Sequence, residues 1–266
     1  MASKPNQKIP PAPLCPIPVV DDPFDRLIID CVGPLPKGKA GHQYIFTIMC
    51  ATTRFVEAIP LRTLRAKVVV KELLKFCTTF GLPRIIQSDQ GSNFTSKVFR
   101  QALGMLGIGH QMSSAYHPES QGALERFHQT LKAMLRRYCI ETGRDWAEGL
   151  PYLMFATRET VQESLGFSPA ELVFGHTMRG PLKLLSDQLL SQPSRPVPVD
   201  EYVTSIREKL GKARDLAKLH LSETQVKMKE RFDVKSVKRD FSPGDQVLFC
   251  CQCLGRFYMP NLLVRI

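Results

Sequence analysis

Three short runs rich in β-branched and aromatic residues, RLIIDCV, YIFTIMC (44–50) and FVEAIPL (55–61), come before the first helical pattern, and this order most limits what the chain can become. The links between them, PLPKGKAGH and ATTR, are short and turn-rich, so the runs are expected to pair as an antiparallel meander. Arg65 to Phe80 then sets Val68, Val69, Leu73, Phe76 and Phe80 at helical spacing, and Gly-Leu-Pro at 81–83 ends it. RIIQSD (84–89) follows as a brief buried strand. A strand reached through a helix requires a crossover, so the sheet is predicted to be mixed.

The pattern continues as a helix over Lys97 to Leu106, a last strand IGHQM (108–112), and a long helix over Ala123 to Thr142. In that helix Leu124, Phe127, Leu131, Met134, Leu135 and Tyr138 form one apolar stripe. A further helix covers Trp146 to Thr160. The predicted fold class is therefore α/β, a five-stranded mixed sheet flanked by helices. Around this core, residues 1–23 form a proline-rich leader whose prolines at 5, 10, 11, 13, 16, 18 and 23 hold it extended. The core spans 24–185, a Ser/Gln/Pro-rich linker 186–198, a helical extension 199–241, and an incomplete small β-barrel-like segment 242–266. Within the extension, Val203, Ile206, Leu210, Ala213 and Ala217 predict one long helix or a helical hairpin.

Charge narrows the class of partner. The 266 residues carry 36 Lys+Arg against 25 Asp+Glu, a formal +11, which suits a polyanion. The excess is uneven, since residues 62–137 hold 12 Lys+Arg and 4 Asp+Glu. Such a surface binds phosphate backbones in a salt-dependent, largely sequence-blind way. No run nears the roughly 20 apolar residues that span a bilayer, so no membrane partner is expected. The amino terminus lacks the apolar core of a secretory signal; the eight cysteines are read as thiols in a reducing, soluble setting.

Three acids stand where chemistry is expected. Asp30 interrupts an apolar strand, Asp89 ends another, and Glu125 lies in the first turn of the long helix. Oxygen ligands without Cys or His companions suit Mg²⁺ or Mn²⁺ better than Zn²⁺. Two such ions can activate an attacking oxygen and stabilise the leaving oxygen of a phosphoryl displacement. Spacing alone is weak support, because with 25 acids in 266 residues about one position in ten is acidic.

The strings PFDRLIIDCVGPLP (23–36), IIQSDQGSNFTS (85–96) and YHPESQGALERFHQTLK (116–132) resemble the catalytic core of retroviral and long-terminal-repeat retrotransposon integrases, most closely the gypsy-like group. The likeness runs from about Pro13 to Gly180. That family's D,D-35-E signature falls on Asp30, Asp89 and Glu125, with 35 residues between the last two. The resemblance implies an RNase H-like fold, two Mg²⁺ (or Mn²⁺) ions on those three acids, and 3′-end processing and strand transfer on double-stranded DNA. It also implies a homo-oligomer, because two DNA ends must meet, and nuclear residence beside a cytoplasmic pool.

Helical geometry puts His128, Gln129 and Lys132 on the face of Glu125, where they are expected to touch DNA. Lys132 is similar to the family's DNA-contacting lysine, and Gln121 occupies the place of a DNA-contacting residue in the loop before the helix. Asn93 resembles a family residue near the active site and is by that resemblance expected to touch DNA, although Asx-turn chemistry alone would explain it. His117 and Pro118 look like that family's loop. Integrases of this kind usually carry a zinc module ahead of the core; here only Cys15 precedes it, and no zinc is expected. Cys250, Cys251 and Cys253 are read as strand cysteines. Three functions follow: a DNA-recombining enzyme, a captured and catalytically silent DNA-binding or protein-interaction module, or a nuclease on RNA:DNA hybrids.

Overall fold

The computed structural model describes residues 22–112, 122–178, 180, 199–234, 236, 246–249 and 262–265. His117, Pro118, Gln121, Cys250, Cys251 and Cys253 lie outside the described residues, as do residues 1–21 of the Pro-rich leader and the linker. The chain divides into two compact units, the larger within Val19–Leu221 and the other holding the described residues beyond it.

Strands β1 (Arg26–Val32), β2 (Tyr44–Cys50) and β3 (Val56–Leu61) form the expected antiparallel meander. Helix α1 (Ala66–Phe80) then crosses over to β4 (Ile85–Ser88), which lies parallel to β1. Past α2 (Ser92–Thr95) and α3 (Lys97–Met105), β5 (Gly109–Met112) adds in parallel to β4. The sheet order is β3-β2-β1-β4-β5. Strand β4 ends one residue sooner than the apolar run suggests, so Asp89 starts a turn instead of closing a strand.

Alternation along β1 and β2 divides the core into two layers. Leu27, Ile29, Phe46 and Ile48 pack with Val69, Leu73 and Phe76 of α1 and Phe99 and Leu103 of α3. Ile28, Val32, Ile45 and Met49 face the other way, onto α4 (Gly122–Thr142) and α5 (Trp146–Glu159). Asp30 and Thr47 belong by parity to that second face, and they are directly paired in the β1–β2 ladder. Helix α4 sits on it through Leu124, Phe127, Leu131 and Leu135; burying such a side chain contributes about 1.5–3 kcal/mol.

Two contacts fasten the β1–β2 loop to the start of α5. Trp146 Nε1 donates to the Pro36 carbonyl at 2.8 Å, and Asp145 accepts from Lys39 N at 2.6 Å while capping α5 through Ala147 N. Helix α6 (Pro169–Phe174) starts at a capping box formed by Ser168 and Glu171. The extension is a single helix, α7 (Val199–Asp233), not a hairpin. Its Ala217 and Leu221 pack on Leu165 and Leu172. In the smaller unit β6 (Gln246–Phe249) and β7 (Leu262–Arg265) pair antiparallel. Among the described residues no helix is long and apolar enough to cross a membrane.

Candidate functional site

Sheet topology brings the first two acids to one edge. Parallel strands end on the same side, and the β1–β4 register pairs Ile28 with Gln87. Continued two residues, that register reaches Asp30 and Asp89. Glu125 enters from above the sheet, in the first turn of α4.

Asp30 registers both neighbours. Burial, first, pushes its carboxyl up to about 6; a hydrogen bond from Cys31 N opposes this, and the negative charges of Asp89 and Glu125 push the same way as burial. Lys132 pulls it down. Asp30 is thus within electrostatic reach of each of the other two acids and of Lys132. Burial also pushes the Cys31 thiol up, with Asp30 and Asp89 adding to the effect.

The acids do not close into a preformed cage. Among the described residues no group of three or more His, Cys, Asp or Glu stands close enough to hold a metal ion. Local hydrogen bonds account for this in part: Asp30 Oδ1 accepts from Cys31 N at 2.6 Å, and Asp89 Oδ1 accepts from Gly91 N at 3.0 Å. The donor set nonetheless fits a hard divalent cation, which needs only one or two carboxylates and fills its other positions with water or phosphate oxygen.

Of the residues expected to touch DNA, Gln129 and Lys132 lie exposed beside the exposed Glu125. His128 does not share their surface. At 3.6 residues per turn it is rotated about 60° from Glu125, toward Leu124 and Leu131, whereas Gln129 and Lys132 are about 40° and 20° away. It is 7% exposed and hydrogen-bonds Thr47 Oγ1 through Nε2 at 2.8 Å, with Nδ1 at 3.5 Å from Asp30 Oδ2. The His128 imidazole is buried and faces the sheet, apart from the exposed face of Gln129 and Lys132 on which the sequence placed it. Burial, then the charge of Lys132, lowers its pKa to about 4.

Asn93 stands in the turn that Asp89 begins, its Nδ2 donating to Cys31 Sγ at 3.5 Å. This ties α2 to β1 next to the site. Thr47 went unnoticed in the sequence, although a hydroxyl at the centre of the apolar run YIFTIMC is a signal in itself. Arg136, eleven residues after Glu125, is exposed and about 20° away around α4, so it prolongs the polar face.

A mixed sheet in this order, with acids on its carboxyl edge and an acid-bearing helix across it, is an RNase H-like core. Residues 21–118 match the family described as integrase core domain. That match includes Asp30 and Asp89 and stops before Glu125. Over 229 residues the chain is 30% identical to the retrovirus-related Pol polyprotein from transposon 412 of Drosophila melanogaster, covering 85% of this chain and 18% of that protein. It is 32% identical over 153 residues to the Pro-Pol polyprotein of simian foamy virus type 3, covering 58% and 13%. With the Gag-Pol polyprotein of gibbon ape leukemia virus the identity is 30% over 217 residues, covering 80% and 12%.

Among solved structures, the simian T-cell lymphotropic virus intasome in complex with PP2A regulatory subunit B56 gamma aligns with a TM-score of 0.55 at 20% identity, covering 73% of this chain and 65% of that one. The likeness is one of fold. Over residues 21–118 the chain matches the integrase core domain, and it spans less than a fifth of the length of the polyprotein relatives it resembles.

Proposed function

We propose that this chain is a DNA-integrating polynucleotidyl transferase, with Asp30, Asp89 and Glu125 holding two Mg²⁺ (or Mn²⁺) ions against DNA. The observation that carries the reading is the placement of Asp30 and Asp89 at the carboxyl ends of neighbouring parallel strands, with Glu125 in the first turn of the helix that packs on that face. Bound there, divalent ions supply activation of an attacking oxygen, water or a DNA 3′-hydroxyl, and stabilisation of the leaving oxygen. The protein's own part is to hold and orient. Asp30 presents its charge from β1, Asp89 from the turn after β4, and Glu125 from α4. Lys132 places a point charge beside them for a phosphate, and Gln129 offers an amide on the same face.

Asn93, tied to β1 through Cys31 Sγ beside the site, is assigned to DNA by resemblance. Gln121 is assigned to DNA by resemblance. The substrate is double-stranded DNA, both element ends and target, and joining two ends calls for a homo-oligomer acting in the nucleus. The test is strand transfer on oligonucleotide DNA with Mg²⁺ or Mn²⁺. Activity lost in Glu125→Gln is the expected result; equal activity in that variant refutes the assignment.

A second reading draws on the absence of an assembled metal cluster among the described residues. In it the fold survives as a catalytically silent DNA-binding or protein-interaction module. It predicts salt-sensitive DNA binding that a chelator leaves unchanged and no turnover, and any cation-dependent joining of DNA eliminates it.

A further inference from the structure

We infer that Thr47 and His128 form a clamp that fixes helix α4 on the sheet and thereby sets Glu125 against Asp30, making both of them positioning residues. This rests on the reading of the three acids as a divalent-cation site. Helix α4 meets the sheet through Leu124, Phe127, Leu131 and Leu135. Apolar burial of this kind is non-directional and by itself leaves the helix free to slide by fractions of a turn. A carboxylate site tolerates little sliding, because its donors must reach one ion.

The clamp supplies the missing direction. Thr47 Oγ1 donates to the Asp30 carbonyl at 3.0 Å and also lies 2.8 Å from His128 Nε2. A hydroxyl has one proton to give. With that proton on the Asp30 carbonyl, the bond to histidine runs from Nε2–H to Thr47 Oγ1, and Nδ1 is left bare toward Asp30 Oδ2 at 3.5 Å. One threonine therefore holds the backbone of the first acid and the helix of the third. Glu125 lies three residues before His128, on the adjoining turn. Thr47 is fully buried and His128 nearly so, so water does not compete for either bond.

The experiment is a calorimetric titration of the full chain with Mn²⁺, comparing wild type with Thr47→Ser and Thr47→Val, each checked for folding by circular dichroism. Serine keeps the hydroxyl and loses a methyl; valine keeps the volume and loses the hydroxyl. The clamp predicts that Thr47→Ser stays within about twofold of wild type while Thr47→Val binds about tenfold more weakly, in the range of outer-shell partners of metal ligands. A role in packing alone gives the reverse order, since serine leaves a void in a fully buried site, and that order overturns the inference. So does equal binding by wild type and Thr47→Val. If Thr47→Val does not fold, His128→Leu carries the same comparison, with the same weakening expected and wild-type affinity counting against the clamp. Wild-type protein that takes up no Mn²⁺ removes the cation reading itself, and the clamp falls with it.

Discussion

Asp30 Oδ2 faces His128 Nδ1 at 3.5 Å, and the two groups are driven in opposite directions by their surroundings. Burial, reinforced by Asp89 and Glu125, raises Asp30 from 3.8 to about 6; burial and Lys132 lower His128 from 6.5 to about 4. A raised acid means that the folded chain binds the proton more tightly than the unfolded one, so its contribution to stability falls as pH rises from about 4 to 6. A lowered histidine works the other way, and its contribution rises as pH goes from about 4 to 6.5. Each displacement amounts to about 3 kcal/mol at most, so across this window the pair nearly cancels. Removing one partner unmasks the other. In chelator, His128→Gln should lose about 3 kcal/mol relative to wild type between pH 4 and 6.5, and Asp30→Asn should gain a similar amount between pH 4 and 6. Urea unfolding across this range measures both, and curves that run parallel to wild type would contradict the assignment.

The same proton competes with a cation for Asp30. Bound metal needs the carboxylate unprotonated, so Mn²⁺ affinity should rise with pH up to about 6 and level off above it. Titrations at several pH values locate the bend. A bend near the ordinary carboxylate range would mean that Asp30 does not limit binding.

Gly91 has an unstrained backbone, yet a Cβ built there would stand 2.7 Å from Asn93 Oδ1 and 3.0 Å from Asp89 Oδ1. Both atoms end short side chains that can turn aside at modest cost, and turning aside is what a positioned carboxylate cannot do without loss. Gly91→Ala is expected to change the stability of the fold by less than about 1 kcal/mol, because the lost freedom of the unfolded chain offsets the small cost of turning the two side chains. Mn²⁺ affinity should fall about tenfold or more, as when the support of a metal ligand is lost. Melting curves together with calorimetry separate the two effects; unaltered affinity would show that Asp89 keeps its place without the glycine.

The alternation of β1 and the stripe of α4 made the sheet and its helices legible before any coordinates, because burial imposes a period on the sequence. Asp30 stood out for the same reason, as a charge in an apolar run. What the pattern concealed was how elements meet. Helical spacing placed His128 near Glu125 without telling which side of the helix edge it fell on, and the tertiary packing of Leu124 and Leu131 took it inward. Thr47 acquires its meaning only from the β1–β2 register, which sets it opposite Asp30. Asp89 read as the end of a strand, although its Oδ1 accepts from Gly91 N in a turn. These are relations between distant segments, which local propensity does not encode.

Helix α4 carries a stripe of positive charge in Lys132 and Arg136, both exposed on the side of Glu125, which the proposed function assigns to DNA. Each phosphate neutralised by a cation releases counterions, so the logarithm of affinity falls with the logarithm of salt by about 0.9 per contact. Lys132→Ala and Arg136→Ala should each flatten that slope by about one, and the double variant by about two, with losses alike across unrelated DNA sequences. Fluorescence anisotropy with two duplexes of different sequence, over a range of salt, checks this. Lys132→Ala should also push the Asp30 carboxyl higher, because the lysine is the charge that pulls it down. A variant pair that binds DNA with the wild-type slope would place the backbone contact on another face of the domain.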